Sequence, residues 1–190
     1  MRHKDENKSE AIFQATIELL NEIGFQNISM SKIGKRAKVS PATIYIYFKN
    51  KEDMLGKLYV SVKEKMSLQM FHGIDGTVEV KDGFELVLRN YANFILNNKD
   101  YFLFIEQFTN SPIIDKLFLD KGQSLFNPVF NLFEEGKKKQ LFKQISTKLL
   151  ITYAFIPLDE IAKQHFKNEF ELNQENLQLI IQMSWDAVKV

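Results

Sequence analysis

The sequence predicts an all-α protein of about nine helices, and three observations point there. Apolar residues recur at helical spacing, as in Phe84, Val87, Leu88, Tyr91, Phe94 and Ile95. Glycine is sparse (eight of 190 residues) and phenylalanine abundant (17), which suits helices packed through aromatic side chains. Capping and breaking residues fall between the periodic stretches, among them Gly24, Ser40-Pro41 and Ser111-Pro112.

The first third reads as three helices and a connector. "SEAIFQATIELLNEIG" sets Ile12, Ala15, Thr16, Leu19 and Ile23 on one stripe, and Gly24 is placed to stop that helix. Ser29 can N-cap a second helix, "MSKIGKRAK", with Met30, Ile33 and Ala37 inward. About two residues later Ser40 offers a capping hydroxyl and Pro41 a first helical residue. In this third helix Ile44 and Phe48 face inward, which leaves Pro41, Ala42, Thr43, Tyr45, Ile46 and Tyr47 with less reason to be buried. Asn50 can cap a fourth helix, from Lys51 to about Met70.

Two short helices joined by a tight turn and braced by a longer one make a helix-turn-helix, whose second helix enters the DNA major groove. Charge agrees. The chain as a whole carries +1, yet residues 1–66 hold twelve Lys/Arg against eight Asp/Glu, and the rest thirteen against sixteen. Between Glu22 and Glu52 there is no acid, while Lys32, Lys35, Arg36, Lys38, Lys49 and Lys51 all fall there. Tyrosine hydroxyls and lysine ammoniums beside such a helix suit phosphate oxygens, which an acid would repel.

The residues at fixed offsets carry a resemblance. Gly24-Phe25, Ser29, Ile33-Gly34, Ala37-Lys38-Val39-Ser40, Ala42-Thr43-Ile44-Tyr45, Tyr47-Phe48 and Lys51-Glu52 with Leu55 follow one pattern. The stretch from about Ser9 to Leu58 resembles the DNA-binding module of the tetracycline-repressor (TetR) family of bacterial transcriptional regulators. The resemblance implies phosphate contacts from Ser29, Tyr45, Tyr47 and Lys51, with Met30, Pro41, Ala42 and Thr43 nearest the bases. Three positions depart from the family's habit: Lys38 replaces a turn glycine, Gly34 an alanine and Ala42 a glycine. Lys38 adds positive charge beside the groove, and Ser40 heads the reading helix. No Arg, Asn or Gln stands at its front to bond a base twice, so specificity is expected to lean on DNA shape and on Arg36 or the "MRHK" arm.

The expected organisation is a DNA-binding domain over residues 1–50, a connector helix over 51–70 and an effector-binding and dimerisation domain over 71–190. "DYFLFIEQF" is apolar nearly all round and should be buried, and "SPIIDKLFLDKGQSLFNPVFNLFEEGKKK" reads as one long helical run. Pro128 and Pro157 sit inside helical patterns, where proline kinks a helix. Phe126 and Phe130 near Pro128 share one side, with Asn127 and Asn131 on another. Together with Phe94, Phe104, Phe108 and Tyr153 they are the candidates to line a pocket for a small apolar effector; packing of aromatic core and solvation of the amides is the plainer alternative. The last two helices are too apolar for a single buried face, and residues 147–188 are expected to form the interface of a homodimer. A two-fold dimer suits a palindromic double-stranded DNA operator.

The chain has no cysteine, and His3, His72 and His165 are scattered singly, so neither a disulfide, a metal nor another cofactor is expected. The polar N-terminus has no signal-peptide pattern, and no run of about 18 apolar residues could span a membrane. These features point to a cytoplasmic protein, nucleoid-associated when bound to DNA. A helical enzyme acting on an apolar substrate finds no nucleophile–base pair or phosphate-cradling loop. A DNA-compacting protein would favour a more basic chain. The expected function is thus a ligand-responsive transcriptional regulator, most simply a repressor released by its effector. A regulator without a small-molecule effector is the alternative within that class.

Overall fold

Helix α1 (Glu6–Asn27) forms on the apolar spacing of its sequence and is interrupted at Gly24, where φ is 72° and ψ 168°. That backbone region is essentially open to glycine alone, so the residue fixes where the rod breaks. The structure, a computed structural model, describes residues 6–74, 78–109 and 116–190; the "MRHK" arm and the "NSP" break lie outside them. The buried set of α1 is wider than a single stripe, since Ile17 and Leu20 join Ile12, Ala15, Thr16 and Leu19. The C-terminal part of α1 meets helix α6 (Lys99–Thr109): Asn21 donates to the Asp100 carbonyl at 3.3 Å, and the Phe25 and Phe108 rings stack at 5.7 Å.

Helices α2 (Met30–Arg36), α3 (Pro41–Tyr47) and α4 (Lys51–Met70) follow at the expected places. Beyond them lie α5 (Val80–Asn97), α6, α7 (Lys116–Ser124), α8 (Asn127–Lys138), α9 (Thr147–Phe166) and α10 (Gln174–Val188). The described residues thus form ten helices and no strand, only an isolated antiparallel bridge between Phe142 and Lys189. The tenth helix arises because the run expected as one long helix divides into α7 and α8. Pro128 stands in the first turn of α8, not in a helix interior, where its missing N–H removes no helical hydrogen bond. Pro157 is inside α9, as its sequence position implies.

Packing separates two compact units. One comprises Met1–Lys63 with Asp100–Gly122, the other Glu64–Lys99 with Gln123–Val190. The first holds the helix-turn-helix, backed by α6, whose Phe102, Phe104, Ile105 and Phe108 are all buried. Phe108 sits 5.2 Å from Tyr59 of α4 and 5.2 Å from Phe104. The second is organised around Phe84 of α5, whose ring meets Phe133, Phe142 and Trp185 at 5.9, 6.0 and 5.3 Å. The predicted face of α5 is buried except for Tyr91, whose hydroxyl donates to Asp159 of α9 at 2.7 Å.

Candidate nucleic-acid interface

Three capping arrangements hold the helix-turn-helix in register. The Lys32 N–H donates to Ser29 Oγ at 3.3 Å at the start of α2, and the Thr43 N–H donates to Ser40 Oγ at 3.0 Å at the start of α3. At α4 the caps are reciprocal: the Asp53 N–H donates to Asn50 Oδ1 (2.7 Å), and the Lys49 N–H donates to Asp53 Oδ2 (2.9 Å). Each satisfies N–H groups that a helix start leaves without a partner.

The turn between α2 and α3 is built by two residues acting together. Lys38 adopts φ 56°, the left-handed conformation in which a glycine is the easy choice, so the backbone form is kept and the side chain is carried there at a cost. Gly34 is needed for the opposite reason. A Cβ at that position would lie 2.8 Å from the Val39 carbonyl oxygen, while the Val39 N–H donates to the Gly34 carbonyl at 2.9 Å. The close approach, rather than helix propensity, explains a glycine in the middle of α2.

With Ile44 fully buried and Phe48 at 3% exposure, α3 is pinned by its inner face. Its outer face carries exposed Pro41 and Ala42, with Tyr45 and Ile46 each 55% exposed. Thr43 and Tyr47 are half-buried, and the Thr43 hydroxyl lies 2.9 Å from Ser40 Oγ. Exposed Ser29, Lys35, Lys38 and Lys49 and half-buried Met30 belong to the segments flanking this helix. Lys51 reaches back to the Phe25 carbonyl at 3.4 Å, and Lys32 to the Asn27 carbonyl at 2.7 Å. Both ammoniums are thereby steadied beside the turn after α1, each keeping further N–H donors.

Arg36 is engaged within the fold. Its guanidinium forms a fork with Glu22 of α1, at 2.8 and 2.6 Å, and meets Glu18 at 3.3 Å. Hydrogen bonding to Arg36 holds the Glu22 carboxyl below the usual carboxylate range, and the guanidinium is held more firmly protonated in turn. These exposed ion pairs join α2 to α1 through Arg36. The signal was present in the sequence as Glu18 and Glu22, four apart on one face of α1.

The eight residues expected to line an effector pocket fall in different settings. Phe104 and Phe108 are buried in the first unit, while Phe94 is buried in the second. Phe126 is half-buried, 6.2 Å from Phe71, and Asn127, Phe130 and Asn131 are exposed on α8. Tyr153 lies on the outer face of α9, in an apolar groove of about 530 Å³ shared with Pro157, Leu179, Ile180 and Met183. Among the described residues no group of three or more His, Asp or Glu is placed to hold a metal ion, and no helix is long and apolar enough to cross a membrane.

Comparison with known proteins bears on both parts of the chain. The family model described as "Bacterial regulatory proteins, tetR family" matches residues 12–58, and "Tetracyclin repressor-like, C-terminal domain" matches residues 80–189. An uncharacterised HTH-type transcriptional regulator of Haemophilus influenzae is 26% identical over 190 residues, all of both chains. A fatty acid metabolism regulator protein of Bacillus subtilis is 37% identical over 87 residues, 44% of this chain and 43% of its own. A crystal structure of a TetR family transcription regulator from Marinobacter aquaeolei superposes with a TM-score of 0.91 at 28% identity, covering 100% of this chain and 99% of that one.

Proposed function

The chain belongs to the tetR family of bacterial DNA-binding transcriptional regulators, and from that premise we propose that it is a repressor, binding a palindromic operator as a homodimer and released by a small apolar effector. The observation that carries the DNA-binding part is the outer face of α3. Pro41, Ala42, Tyr45 and Ile46 are held outward by a buried Ile44–Phe48 anchor, in a stretch of sequence that carries lysines and no acid between Glu22 and Glu52. Each protomer would set α3 in a major groove, with half-sites about 34–36 Å apart. Pro41, Ala42 and Thr43 meet the base edges with Met30 close by. Ser29, Tyr45, Tyr47, Lys38 and Lys51 hold phosphates, and Ser40 fixes the angle of the helix.

The dimer reading is supported by the α9–α10 face within residues 147–188. Leu149, Tyr153 and Ile156 on α9 and Leu179 and Met183 on α10 are exposed apolar side chains on adjoining helices, with Met183 at 71% exposure. Ser184 beside them has a buried hydroxyl with no hydrogen-bond partner among the described residues. A second copy covering this face would remove the apolar area from water. For the effector, the support is the name of the Bacillus subtilis relative, a fatty acid metabolism regulator protein. Fatty acids are therefore the first class of probe.

The test is selection of the purified protein against random duplex DNA at about 150 mM salt, which suppresses purely electrostatic binding. One enriched palindrome is expected. Tyr45→Ala and Lys51→Ala should each weaken binding to it about 5- to 50-fold without changing the preferred sequence, because phosphate contacts position rather than specify. Failure to enrich any sequence would overturn the reading.

A further inference from the structure

Ile46 is the one exposed large aliphatic residue on α3, and nothing in the packing of the chain accounts for it. It is 55% exposed on a seven-residue helix whose inner positions, Ile44 and Phe48, are already buried. Helix propensity does not account for it either, since a β-branched residue is a poorer exposed helix former than alanine. Its neighbours on the helix surface are Ala42, four residues back, and Thr43, three back. The Thr43 hydroxyl is engaged with Ser40 Oγ at 2.9 Å, and the Thr43 N–H is engaged by the same oxygen. The outer face of α3 thus offers aliphatic carbon where other readers offer paired hydrogen-bond donors. Exposed Lys38 and Lys49 flank the helix in sequence, so a covering surface anionic at its edges suits this carbon.

A duplex meets both demands, with phosphates at the rims of the major groove and thymine 5-methyl groups on its floor. We propose that Ile46, with Ala42, is a specificity-determining residue that reads thymine methyls in each operator half-site. This rests on the reading of α3 as the element that enters the groove. It assigns discrimination to apolar contact at a position with no hydrogen-bonding group, and it makes the 5-methyl group, rather than the base pair as a whole, the chemical feature recognised.

The experiment is a double-mutant cycle between protein and DNA, using the full chain and the operator enriched from random duplexes. Each thymine of one half-site is replaced by deoxyuridine, which removes the methyl and leaves every hydrogen bond of the pair. At one or two positions the wild-type protein should lose about fourfold in affinity, the scale of one buried methyl group. Ile46→Ala should bind the thymine operator correspondingly more weakly and show less than a twofold difference between thymine and deoxyuridine there. Because Ile46 is exposed, the variant should keep the wild-type melting temperature, and Ile46→Val should retain part of the discrimination. A deoxyuridine penalty that is undiminished at every thymine in Ile46→Ala, or no penalty at any thymine in the wild type, overturns the inference and leaves the operator-binding reading standing. Absence of any enriched operator overturns that reading and the inference together.

Discussion

Lys38 and Gly34 show how a single turn can be written with unusual residues and still hold its shape. A side chain in the left-handed region costs about 1–2 kcal/mol, part of which a glycine would return to the unfolded chain as entropy. Lys38→Gly is therefore expected to raise stability by about 0.5–1 kcal/mol in denaturant melts, while weakening DNA binding through the lost charge. A lysine carried at that cost is consistent with a role for its ammonium at the phosphates. Gly34→Ala should act in the other direction. Its methyl would meet the Val39 carbonyl at 2.8 Å, and that backbone cannot retreat without moving the start of α3. A loss of about 1–3 kcal/mol is expected, the usual scale for overpacking. Unchanged stability would mean that the turn has slack. Both departures were visible in the sequence, but not their partnership, because a close backbone approach leaves no mark in residue order.

Among the elements, the starts of α2, α3 and α4 were the most legible, since Ser29, Ser40-Pro41 and Asn50 are local signals for local hydrogen bonds. The division between α7 and α8 was not legible, because Pro128 fits a first turn as well as it fits a kink. The same locality makes α4 sensitive to acid. Burial alone would raise the Asp53 carboxyl, but the Lys57 ammonium at 2.8 Å and the Lys49 N–H outweigh it and hold it below the ordinary carboxylate range. Glu22, bonded to Arg36, is held low as well. A carboxyl lower in the folded than in the unfolded chain contributes stability that is present above its unfolded value, about 4, and lost as pH falls through its folded value. The melting temperature should therefore drop as pH is taken below about 4. Asp53→Asn should be less stable than wild type at neutral pH and approach it in acid, as followed by thermal melts from pH 7 to pH 3. A difference that stays constant across that range would remove the carboxylate from the account.

At the scale of the molecule, a question arises that no local signal answers: which apolar residues are core and which are surface awaiting a partner. Tyr153 illustrates it. By sequence it was one more aromatic candidate for an internal pocket, yet it stands 59% exposed on α9, where Leu149 and Ile156 are also exposed. Helical periodicity identifies an apolar face without saying what covers it, so Phe94 and Tyr153 looked alike until packing placed one in the core and the other outside. For the same reason the pairing of Arg36 with Glu18 and Glu22 of α1 emerged only from packing. Dimerisation is the proposed cover for the α9–α10 face, and a charge introduced there tests it at no cost to the core. Met183→Glu, at a position 71% exposed, should leave the helical content of the chain intact. It should shift the protein from dimer to monomer in sedimentation at micromolar concentration, because two symmetry-related carboxylates would be buried near one another. Operator affinity should fall by at least tenfold, since each half-site would then be bound alone without the effective concentration that a two-fold dimer provides. A variant that remains a dimer with unchanged operator binding would place the interface elsewhere. One that becomes monomeric yet binds as tightly would show that a single α3 suffices to hold the operator, and the argument for a palindrome would fail with it.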